Sequence, residues 1–150
     1  MDLTTSSISY QIDPETGTTR LVVMGLRGTT DKLTVSFNIT LAPSDVTEGT
    51  LDDLSRKELT ALAVKKAPAT ISDFTNYSYS ASVMDNHITN LSANVTKQSA
   101  GIYAYATLTL TGDDMDLDTA DMTTVKAAIV KVLATELPST EAPAKEVPAK

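Results

Sequence analysis

Between Lys32 and Leu41 every second residue is apolar: Leu33, Val35, Phe37, Ile39 and Leu41 alternate with Thr34, Ser36, Asn38 and Thr40. A period of two marks a strand with one buried and one wet face, whereas helical faces recur every 3.6 residues. The chain must therefore build a sheet around this segment.

Two further strands precede it. Ile8, Tyr10 and Ile12 alternate with polar residues between Ser6 and Asp13. Asp13-Pro14-Glu15-Thr16-Gly17 then carries strong turn chemistry: proline pre-sets φ, Asp13 can accept from the following backbone, and Gly17 tolerates the left-handed region. A hairpin into Thr19–Leu26 is expected, and Arg27-Gly28-Thr29-Thr30-Asp31 turns the chain again. Such short connections force neighbours to run antiparallel.

A helix comes next. Ser55 and Glu58 have capping-box spacing, Leu54 and Leu59 sit at staple positions, and Pro68 ends the segment. After a linker holding Ile71 and Phe74 the same order returns, with strands predicted at Tyr77–Met84, Ile88–Thr96 and Ile102–Leu110 and a helix at Met122–Leu137. Laying Leu51-Asp52-Asp53-Leu54-Ser55 against Leu117-Asp118-Thr119-Ala120-Asp121 places Asp121 where Ser55 caps. The expectation is an α+β fold: an antiparallel sheet from two strand-strand-strand-helix repeats, about 5–68 and 76–137, with two helices packed on one face. One domain, 1–137, suits a chain of 150 residues. The remainder, 138–150, mixes Pro, Ala and opposed charges without an apolar face and is expected to be a disordered tail.

Several function classes are disfavoured by composition. Without cysteine there is no thiolate nucleophile and no cysteine-built metal site. The polar segment Met1–Tyr10 does not read as a signal peptide, and no apolar run approaches the roughly 20 residues of a membrane span. A soluble cytoplasmic protein is expected, or a virion component if the chain is phage-encoded, with no membrane partner. A net charge of −7 argues against nucleic acid, whose phosphates attract clustered Lys and Arg.

Local chemistry is equally sparse. Asp114, Asp116 and Asp118 begin like a calcium loop, but Thr119 and Val125 stand where such a loop needs glycine and a bidentate Glu. Together with Asp113 and Asp121 they read first as acidic residues ahead of a helix, and secondly as an acidic surface at Asp113, Asp114, Asp116 and Asp118. His87, the single histidine, falls in an Asp85-Asn86-His87 turn. No glycine-rich phosphate loop precedes a helix, and the sequons at Asn38, Asn76, Asn90 and Asn94 follow from the period of a strand's wet face. No metal, cofactor or enzymatic activity is expected.

Tyrosine is placed more tellingly. Tyr77, Tyr79, Tyr103 and Tyr105 fall in two predicted strands. If Ile102, Ala104 and Ala106 face inward, Tyr103 and Tyr105 point outward with Thr107 and Thr109, and Tyr79 is expected to join them, read first as ordinary cross-strand stabilisers and secondly as a protein-contact surface. An open six-stranded sheet also leaves edges that assembly would cover. The expected function is that of a non-catalytic structural or assembly protein, of bacterial or bacteriophage kind, working by self-association into a homo-oligomer or by protein docking. The alternatives are an acidic binding module or inhibitor occupying a basic surface and, after that, a small-ligand carrier or enzyme.

Overall fold

A computed structural model describes residues 1–67 and 76–137. In chain order the elements are β1 (Thr4–Ile12), β2 (Thr19–Thr29), β3 (Leu33–Leu41), short 3-10 turns at Pro43–Asp45 and Leu51–Asp53, α1 (Arg56–Lys66), β4 (Asn76–Met84), β5 (His87–Ser99), β6 (Ile102–Leu110) and α2 (Met122–Glu136). The fold is α+β. Among the described residues six strands form one sheet in the order β1-β2-β3-β6-β5-β4, and every adjacent pair is antiparallel. The linker with Ile71 and Phe74 and the expected tail at 138–150 lie outside the described residues.

Alternation fixes which side is core. Leu26 and Ala104 flank Phe37 in register, while Met24 and Ile102 flank Ile39, so all of these side chains share one face. Leu91, Ala93 and Val95 of β5 join that core face opposite Leu110, Leu108 and Ala106. The buried residues of α1 (Leu59 and Ala63) and of α2 (including Ile129 and Leu133) belong to the same apolar cluster. The narrow residues Ala93, Ala104 and Ala106 are fully buried, leaving room for the bulkier Phe37 and Met24.

Turns and caps follow local chemistry. Asp13 Oδ1 accepts from the N–H groups of Glu15 (2.9 Å) and Thr16 (3.2 Å), and Gly17 adopts φ 70°. Asp85 and Asn86 both take positive φ, 51° and 63°, which matches the right-handed twist of a two-residue hairpin. Ser55 caps α1 by accepting from Glu58 N–H, while Glu58 reaches back to Ser55 N–H at 2.8 Å. Asp121 caps α2 by accepting from Thr124 N–H at 2.8 Å.

The outer sheet face as candidate functional site

None of the chain's 19 Asp and Glu residues lies on any of the six strands. Among the described residues the carboxylates lie outside the strands, and the sheet is built from apolar residues, hydroxyls and amides with four basic side chains, Arg20, Arg27, His87 and Lys97. Turned away from the core are Thr34, Ser36 and Asn38 of β3, with Tyr103, Tyr105 and Thr107 of β6 directly opposite them. Beyond these lie Asn94 and Thr96 of β5, then Ser78 and Asn76 of β4. On the other flank Arg27 of β2, paired with Ser36, brings a positive charge to the face.

The centre of this outer face is ordered by hydrogen bonds. Asn94 Oδ1 accepts from Tyr105 Oη and from Thr107 Oγ1, each at 2.9 Å. The tyrosine ring is thereby held in one orientation while its surface stays open, with Tyr103 and Tyr105 each about 40% exposed (43% and 41%). A shallow depression of about 370 Å³ beside it is lined by Asn76, Tyr77, Ser78, Asn94, Thr96 and Tyr105. Asn94 was visible in the sequence only as part of a sequon; its position opposite Thr107 gives it this anchoring role.

Tyr79 is not part of that surface. It pairs with the fully buried Ala93, so it lies on the core side of β4, as does Tyr77 opposite Val95. The expected grouping of Tyr79 with Tyr103 and Tyr105 is corrected by register: β4 alternates tyrosine with serine, which gives the tyrosines the core side. In β6 tyrosine alternates with alanine, and alanine takes it. Thr107 and Thr109 stand with Tyr103 and Tyr105 on the outer side, at positions opposite Asn94 and Ser92.

Most of the acidic cluster is engaged within the fold. Asp114 pairs with Lys32 at 2.6 Å and accepts from Thr111 N–H at 2.9 Å. Burial pushes its carboxyl up, but the Lys32 and Thr111 hydrogen bonds outweigh this and hold it below the usual range. Asp118 accepts from Ile88 N–H at 2.9 Å and meets His87 Nδ1 at 3.0 Å; the Ile88 bond first, then His87, lowers its pKa. Asp116 accepts from Asp118 N–H at 3.2 Å, and Asp113 is exposed. Among the described residues no group of three or more His, Asp or Glu is placed to hold a metal ion.

Elsewhere, a groove of about 420 Å³ runs between the 46–54 connection and α1, lined by Val46, Leu54, Ala61 and Leu62. Glu58 in its wall is already the capping-box partner of Ser55. Among the described residues no helix is long and apolar enough to cross a membrane. Comparison with protein-family models, curated proteins and solved structures finds no match for this chain.

Proposed function

We propose that the chain is a non-catalytic assembly protein whose outer sheet face receives a second copy of itself. The observation that carries this reading is the segregation of charge: a chain of net charge −7 has a whole sheet without a carboxylate. Two acidic copies repel through most of their surfaces, and this face lets them approach without that cost. Its extent is adequate. Six strands about 4.8 Å apart, each rising about 3.3 Å per residue, give a face of roughly 850 Å², close to the per-partner area of a standard interface. Tyr103 and Tyr105 supply the half-exposed aromatic contacts that interfaces favour.

The two halves are, in this reading, copies of one strand-strand-strand-helix unit, with both helices on the core side. Matched hydrogen bonds support the duplication. Asp45 and Asp114 each accept from the N–H three residues earlier, at Ala42 and Thr111. Asp52 accepts from Thr19 N–H at the start of β2, as Asp118 accepts from Ile88 N–H near the start of β5. Ser55 and Asp121 then cap the helices.

Light scattering across a concentration series tests the reading. The wild type is expected to show at least a dimer, and Tyr105→Glu with Thr107→Glu to shift the equilibrium toward monomer. A strict monomer at every concentration would falsify self-assembly.

A further inference from the structure

We infer that β4 is the pairing edge for a second copy, joining two six-stranded sheets into one continuous antiparallel sheet across a two-fold axis near Tyr79. This rests on the self-association proposed above but names a different surface, the strand edge.

Among the described residues β4 ends the strand order, and every residue in it except Tyr77 is exposed. Edge strands usually discourage pairing with charge, proline or irregularity. Asn76–Met84 contains no charged residue and no proline, and its register with β5 is unbroken from Asn76 to Ser82. The opposite edge, β1, is likewise free of charge and proline but loses register twice, between Thr5 and Ser7 and between Gln11 and Ile12, which leaves a shorter regular run than the single break of β4 after Ser82. β4 also carries three exposed large apolar side chains, Tyr79 at 39%, Val83 at 64% and Met84 at 67%, against two on β1, Tyr10 and Ile12.

A second copy is the occupant because the edge is self-complementary. An antiparallel pairing of like strands keeps alternate side chains on the same side, so core side meets core side and serine side meets serine side. The register that uses the whole run Asn76–Ser82 is centred on Tyr79. It sets Tyr79 against Tyr79 of the second copy, Ser78 against Ser80 and Asn76 against Ser82. Such a ladder forms about seven backbone hydrogen bonds, set against about ten in a standard interface. Opposed tyrosines add a favourable cross-strand pair.

The chain's lack of cysteine makes a direct test available. In Tyr79→Cys the two introduced thiols stand opposite each other at a Cα separation a disulfide can span, about 4.5–5.5 Å. Mild oxidation is expected to yield a covalent dimer, while Lys57→Cys on α1 stays monomeric under the same conditions. Tyr79→Lys places like charges at the axis and is expected to weaken association about tenfold or more. Hydrogen exchange over 76–82 should slow as wild-type concentration rises. No cross-link at Tyr79→Cys, or undiminished association of a folded Tyr79→Lys, overturns the inference. Association lost in the Tyr105→Glu, Thr107→Glu variant but kept in Tyr79→Lys leaves the outer-face reading standing and removes this one. The reverse pattern keeps the edge and removes the face. A wild type monomeric at every concentration removes both.

Discussion

The carboxylate of Asp118 accepts the backbone N–H of Ile88 at 2.9 Å, tying the loop before α2 to the β4–β5 hairpin. Replacement by alanine leaves that N–H without its charged acceptor and also frees His87. Asp118→Ala is expected to lower Tm by a few degrees and to speed amide exchange at Ile88 selectively. Unchanged protection at Ile88 would show that the bond does not hold the hairpin in solution.

Phe37 sits at the middle of the sheet between Leu26 and Ala104 and is 1% exposed. Phe37→Ala opens a cavity that neighbouring backbone cannot close, and should cost about 3–5 kcal/mol in denaturant unfolding. Thr109→Ala, on the outer side of β6, should cost under about 0.5 kcal/mol. Equal effects at the two positions would contradict the assignment of faces.

The Asp85-Asn86 turn depends on two residues with positive φ. Valine at position 86 would have to adopt φ near 63°, where its branched Cβ meets the backbone. Asn86→Val is therefore expected to destabilise by about 1–2 kcal/mol, and Asn86→Gly to be neutral or stabilising. Chemical denaturation of the three proteins side by side checks the order.

Acid and alkali should act through different groups. Asp45 feels burial, which raises its pKa, and the stronger combined pull of the Ala42 and Lys66 hydrogen bonds, which leaves it below 3.8; Asp114 behaves likewise with Lys32 and Thr111. A carboxylate with a depressed folded pKa stabilises above its unfolded value and loses that contribution as pH falls through the folded one. Tm should be level near neutrality and decline below about pH 4.5. Lys32 is shifted the other way: its hydrogen bond to Asp114 raises it above 10.5 despite some desolvation. Its contribution is complete below that value and disappears as pH rises through the folded pKa. Asp114→Asn should blunt both arms of the profile, and a profile unchanged by that substitution would remove the pair from the explanation.

Much of this fold was readable from residue order because its determinants are local. The Leu33–Leu41 alternation, the Asp13–Gly17 turn and the Ser55–Glu58 capping box each act within a few residues, and the structure places strand, hairpin and helix there. The strand β6 begins and ends where alternation put it, at Ile102 and Leu110. Partnerships across the chain were not readable. Lys32 meets Asp114 and Thr5 meets Thr60 only because the sheet brings distant segments together. The face of Tyr79 was misjudged for a related reason. Residue type suggested kinship with Tyr103 and Tyr105, but parity is set by the residues between, and in β4 those are serines. The outer face itself was legible as Thr-rich and polar; its freedom from carboxylates emerged only once strand limits were known.

The strand order has one more implication, for the sequence of events during synthesis. β3 lies beside β2 on one side and β6 on the other, and β6 begins at Ile102. While the ribosome makes α1 and the next hairpin, the most apolar strand of the first half has a bare margin. The chain therefore spends the time needed to make the residues between Leu41 and Ile102 with Leu33, Val35, Phe37 and Ile39 awaiting their second neighbour. A ribosome stalled before Ile102 would expose a nascent sheet that still seeks a strand, and another stalled chain can offer it one.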